Sequence, residues 1–270
     1  MENTYFVGFL QGTSGRFISS IMWSLLNDLN VHIPYSEFNS AHLESYAVMN
    51  WVTTHLPDPT WDKDCYQLIE FDNTVTNLNP NNVHLFYAHV YPDFETIFFR
   101  FSDAKVVVIK MDASDYMEIA GNYLFKNGIE NTCHKNVIPH KIKFYYRMLY
   151  NKECEDTHNF TLNEIYDLVH LHQKKMLTIP YGIEYTETIV PEKFRENVLL
   201  LKYSDIYRKD SNGNYIGYEL LKQFTNCIGN ETIEENYKNY VVGRDKFISK
   251  HLPWIKNENY RTNTDAALVS

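Results

Sequence analysis

No run of this sequence approaches the roughly 18 consecutive apolar residues of a membrane-spanning helix. Its first residues carry no basic stretch ahead of an apolar one, so neither a membrane span nor a secretory leader is expected and a cytoplasmic chain is. Cysteine is scarce. The four present, Cys65, Cys133, Cys154 and Cys227, are scattered without CxxC spacing, which argues against a disulfide framework and a structural zinc site. Positive charge is also in short supply: 25 Lys and Arg against 34 Asp and Glu leave a formal net charge of -9. That balance argues against general duplex nucleic-acid binding, which needs a basic footprint, and still permits a local basic pocket for a small anion. Glycine and proline are sparse while Asn, Lys, Ile and Tyr are abundant, a bias that AT-rich coding produces and that fits a viral or AT-rich microbial source. For a viral source the expected compartment is the host cytoplasm. No internal repeat or low-complexity tract is present.

What is abundant is apolar material. A chain of 270 residues with 44% hydrophobic and 15% aromatic content has enough to bury a large core. Four short apolar runs, 5–10, 83–88, 105–110 and 198–203, have the composition of strands buried on both faces, with 67–71 as a further candidate. Helical periodicity is expected over 16–29, 42–54, 94–101, 113–125, 139–150, 162–178, 217–227 and 233–250. Strands alternating with helices predict an α/β fold with a parallel sheet covered on both sides. Residues 129–195 lack a core-strand signal and are expected to form a helical excursion within a single domain, and the polar tail after Tyr260 is expected to be loosely held.

The most informative segment joins the first strand to the first helix, TYFVGFLQGTSGRFISSIMWSLL from Thr4. Gly12 and Gly15 permit a tight turn, and Arg16 adds a donor fork suited to phosphate oxygens. The helix N-terminus supplies unpaired N–H groups and a positive dipole end. An ordinary strand–turn–helix corner has much the same composition. The Gly-Lys-Ser/Thr ending of nucleotide triphosphatase loops is absent. In open α/β sheets the ligand sits beyond the carboxyl ends of the strands. His89 follows the second run, Lys110 ends the third, and Tyr203 with Asp205 ends the fourth. Each has a duller reading as a loop-bonded imidazole, a solvated charge or an edge aromatic. His170 and His172 are two apart and face different directions on a helix, so no metal pair is expected; Cys133–His134 is equally weak. The sequons at Asn159 and Asn230 are expected to be accidental, and Glu184 and Glu187 lie in a tyrosine-bearing loop able to shape a pocket.

The order and spacing of these segments resemble the sulfotransferases that use 3′-phosphoadenosine 5′-phosphosulfate (PAPS). Ser14-Gly15 stands in the place of that family's 5′-phosphosulfate loop. VHLFYAHVYP puts His89 in the place of the catalytic base, KVVVIKMDASDYMEIAGNYL puts Lys110 in that of the 3′-phosphate arginine, and VLLLKYSDIY puts Tyr203 beside the adenine. Thr13 stands where the family's loop lysine is found, Glu118 falls at its 3′-phosphate serine, and Val242 to Lys246, with Arg244, is a loose substitute for its Arg-Lys-Gly element. The resemblance implies a three-layer P-loop-like fold, a central parallel sheet flanked by helices. It implies transfer of a sulfuryl group from PAPS to a hydroxyl or amine of a small-molecule or glycan acceptor, without a metal. His89 and Arg16 would be catalytic, and Gly12, Thr13, Ser14, Gly15, Arg16, Phe17, Lys110, Tyr203 and Arg244 would hold the donor. Two rivals stand beside it: a P-loop nucleotide kinase, and a non-catalytic viral structural or interaction protein that retains the fold. The sequence leaves acceptor identity and oligomeric state open.

Overall fold

A computed structural model of the chain describes residues 4–9, 13–32, 83–88, 92, 94–124, 138–178 and 189–256. By compactness the chain divides into two units, Met1–Asp112 with Pro180–Val242, and Ala113–Ile179 with Gly243–Ser270.

The first unit holds four strands, β1 (Thr4–Gly8), β2 (His84–Ala88), β3 (Lys105–Lys110) and β4 (Val198–Lys202). All pair in parallel, in the order β2-β1-β3-β4. The residues explain the arrangement. Val106 to Ile109 are fully buried, as a strand covered on both faces requires, and Phe6 of β1 stacks on Phe86 of β2 with ring centroids 4.9 Å apart. The helix following β1, α1 (Gly15–Leu26), buries Phe17, Ile18, Ile21, Met22 and Leu25, spaced to form one face. Its buried serines are satisfied within the helix, Ser19 Oγ donating to the Gly15 carbonyl and Ser20 Oγ to that of Arg16, both at 2.8 Å. The helix stops at Leu26, short of the expected 29, because Asp28 takes up positive φ (46°) and the Asn27 side chain donates back to the Trp23 carbonyl.

From β1 the chain runs to β2 on one side, and from β2 through α2 (Phe94–Arg100) to β3 on the other. Parallel crossovers are right-handed as a rule, so two that run in opposite directions carry their helices on opposite faces of the sheet. The expected α/β architecture, a parallel sheet flanked by helices, is therefore present. The expected helix over 42–54 and strand over 67–71 lie outside the described residues.

The second unit is helical among its described residues: α3 (Tyr116–Leu124) behind a single 3₁₀ turn at Ala113–Asp115, α4 (His140–Tyr150) and α5 (Leu162–Thr178). The N-terminus of α5 is fixed by a reciprocal cap, the Thr161 amide donating to Glu164 Oε2 (2.8 Å) and the Glu164 amide to Thr161 Oγ1 (3.3 Å). This unit begins at Ala113, earlier than the excursion expected from 129. Back in the first unit, α6 (Ile216–Thr225) packs on α1 and β4. A last helix, α7 (Glu231–His251), has its residues up to Val242 in the first unit and those from Gly243 in the second. Among the described residues no helix is long and apolar enough to cross a membrane.

Candidate functional site

The strand order reverses at β1. Its neighbours β2 and β3 are reached in opposite directions, so the crevice outside the carboxyl ends of β1 and β3 is the topological switch point where ligands of open α/β sheets bind. The turn of Thr13 to Phe17 follows β1, and Lys110 is the last residue of β3.

The turn has a specific construction. Ser14, at the N-cap of α1, is in the left-handed region (φ 62°, ψ 21°) and gives no side-chain cap to the helix. Its hydroxyl is instead held by two phenols far along the chain. Tyr240 donates to Ser14 Oγ at 2.6 Å, and Tyr207 shares a second 2.6 Å hydrogen bond with it. Gly15 is required by space. A Cβ there would lie 1.9 Å from the nearest ring carbon of the buried Phe9, far inside contact distance. Thr13 is buried, Arg16 is half-buried, and Phe17 is buried in a stack on Tyr240, with centroids 3.7 Å apart and ring planes 7° from parallel.

Behind the turn lies a tyrosine cluster. Tyr237 sets its ring edge-on to Phe17 and donates to the Ile206 carbonyl at 2.8 Å. Burial pushes its phenol well above the ordinary value, so at neutral pH it remains a donor. Tyr203, expected beside an adenine, is instead a core residue, fully buried and edge-on to Tyr207 at 5.2 Å. A strand end that turns straight into the 3₁₀ segment Tyr203–Ile206 directs this ring inward.

Lys110 is half-buried at the end of β3, and the parallel register sets it beside Lys202, the last residue of β4. Sequence reasoning missed Lys202, although it immediately precedes Tyr203. It also missed Tyr207 and Tyr240, whose bonds to Ser14 span 193 and 226 residues. No local periodicity signals contacts of that span.

Arg244, expected at a 3′-phosphate, is engaged within the second unit. Its Nε donates to Glu118 Oε1 at 2.8 Å, its Nη2 binds both oxygens of that carboxylate, and its Nη1 reaches Asp245 at 3.1 Å. Glu118, at the position of the family's phosphate-binding serine, is thus neutralised by this arginine. His89, Gly12, Glu184, Glu187, Cys65 and Cys133 lie outside the described residues. His170 and His172 do not combine: His172 is buried with Tyr145 at 3.2 Å from its Nδ1, and His170 stacks on Tyr166. Among the described residues no group of three or more His, Cys, Asp or Glu is placed to hold a metal. No family model, curated protein or solved structure matches the chain.

Proposed function

We propose that the carboxyl edge of the parallel sheet binds a phosphorylated adenosine nucleotide, and that the chain is a sulfotransferase-like enzyme with a P-loop-like fold and PAPS as donor. One observation carries the reading. The left-handed, glycine-dependent turn with Arg16 and the cation Lys110 flank the same switch point, between β1 and β3.

The residues present fit the donor in part. Arg16 and the N-terminus of α1 suit its 5′ end, and Lys110 suits a second phosphate as a point charge without a bidentate fork. Arg244 and Tyr203 do not fit, since one is bound to Glu118 and the other lies in the core. The donor supplies the sulfuryl group. Transfer forms a bond from an acceptor oxygen or nitrogen to sulfur as the bond from sulfur to the phosphate oxygen breaks. Arg16 would offset charge on the oxygens, and His89, assigned from sequence, would take the acceptor proton. The acceptor is a small molecule or glycan and the setting cytoplasmic in this reading.

A second reading, a non-catalytic protein that retains the fold, is favoured by the Ser14 hydroxyl being held by two phenols and by the engagement of Arg244. The kinase reading is disfavoured by the missing Gly-Lys-Ser/Thr ending of the loop. Calorimetry with 3′-phosphoadenosine 5′-phosphate, paired with a transfer assay using labelled PAPS, separates these roles. Arg16→Ala and Lys110→Ala are expected to weaken binding about tenfold or more, the value of a charge-assisted hydrogen bond. His89→Ala is expected to spare binding and abolish transfer. Equal loss of binding in all three variants sinks the assignment.

A further inference from the structure

Lys110 and Lys202 are register partners at the carboxyl ends of neighbouring parallel strands. Partners in a parallel ladder project from the same face of the sheet, and adjacent strands run about 4.8 Å apart. Two lysine side chains therefore leave neighbouring positions on one face at the end of the sheet, the half-buried Lys110 on the strand that borders the switch point and the exposed Lys202 on the one beyond it. Like charges directly opposite each other destabilise a sheet. Among the described residues neither lysine has a hydrogen bond or ion pair that would offset the repulsion, in a chain whose net charge is -9. Nearby carboxylates are otherwise arranged: Asp205 pairs with Arg208 at 3.5 Å, and Asp112 lies in the exposed turn after β3.

Such a pair is matched by one doubly charged anion with several acceptor oxygens. A phosphomonoester near neutral pH has that charge and those acceptors, and can take one ammonium on each of two oxygens. Two lysine point charges from adjacent strands thus replace the fork of a single arginine. We propose that Lys110 and Lys202 together form a two-lysine clamp for a phosphomonoester dianion, the 3′-phosphate of the nucleotide. The identity of that ligand rests on the nucleotide reading above; the clamp itself rests on the strand register.

The test compares wild type, Lys202→Met, Lys110→Met and, as a control for net charge, Lys238→Met on the exposed face of α7. Binding of 3′-phosphoadenosine 5′-phosphate, 5′-AMP and pyrophosphate is measured by calorimetry, and the unliganded melting temperature is recorded. Lys202→Met and Lys110→Met are each expected to weaken the 3′-phosphorylated nucleotide about tenfold. Binding of 5′-AMP and the Lys238→Met control are expected to stay unchanged. The unliganded melting temperature is expected to hold or rise in Lys202→Met, because a repulsion has been removed; a merely structural lysine would lower it. Nucleotide binding that is intact in Lys202→Met overturns the clamp and leaves the nucleotide reading standing. Pyrophosphate binding that depends on Lys202, with no nucleotide binding in wild type, supports the clamp and overturns the nucleotide reading. Binding of none of the three ligands overturns both.

Discussion

Replacing Arg244 with alanine removes a guanidinium that donates to both oxygens of Glu118, and the size of the effect follows from burial. The two side chains are 14% and 10% exposed, and the carboxylate accepts from both Nε and Nη2 of the guanidinium. Truncating one member of a buried pair leaves the other charge desolvated and without that partner, a loss of about 3–5 kcal/mol. By contrast the Arg195–Glu192 pair is 65% and 80% exposed, and removing Arg195 should cost about 0–1 kcal/mol. At about 2–4 °C per kcal/mol, Arg244→Ala should lower the melting temperature by roughly 10 °C and Arg195→Ala by a few degrees at most. Thermal unfolding by circular dichroism reads both. In Glu118→Ala/Arg244→Ala the combined loss should fall short of the sum of the single losses, as groups in contact couple. Nucleotide affinity should be unchanged in Arg244→Ala. An Arg244→Ala protein as stable as Arg195→Ala, with weakened nucleotide binding, would refute the reasoning and return Arg244 to a phosphate site.

Two further outcomes are expected. Gly15→Ala forces a Cβ into the Phe9 ring, and the displacement of a buried aromatic, about 1–3 kcal/mol, outweighs the roughly 1 kcal/mol gain in helix propensity; a urea midpoint at or above that of wild type contradicts the packing. For His172, burial first and then the ammonium groups of Lys141 and Lys175 hold the imidazole pKa down to about 3, below its unfolded value near 6.5. Between these values the unfolded chain binds a proton that the folded chain does not. His172 therefore favours the folded state fully only above pH 6.5, and stability falls by at most about 1.4 kcal/mol per pH unit as pH drops toward 3. Urea unfolding from pH 7.5 to 4.5 should show this slope in wild type and lose it in His172→Phe, which keeps a ring against Tyr123; an unchanged slope assigns the acid sensitivity elsewhere.

The sheet was legible because its strands are uniformly apolar. Lys105–Lys110 was placed to the residue, the first strand was displaced by one residue at its start and two at its end, and the other two differed by one residue at one end. Helix 162–178 was equally clear from its helical periodicity. The site was legible only where chemistry is local: the turn at Ser14-Gly15-Arg16 and the charge at the end of β3. Its remaining parts arise from tertiary contacts. The phenols on Ser14 come from the segment after β4 and from α7, Arg244 meets Glu118 across 126 residues, and Lys202 acquires meaning only from the register that sets it beside Lys110. The burial of Tyr203 was not legible for a related reason: an aromatic at a strand end suits a ligand or the core equally, and here a 3₁₀ turn follows at once and the ring is buried.

The central claim is a nucleotide site at the carboxyl edge between β1 and β3. Its most direct test is calorimetric titration of the purified chain with 3′-phosphoadenosine 5′-phosphate, with 5′-AMP and ATP as comparisons. The account predicts saturable binding that prefers the 3′-phosphorylated nucleotide and is lost in Arg16→Ala. No heat with any of the three would contradict it and leave the non-catalytic reading, while a preference for ATP with magnesium would replace it with the kinase reading.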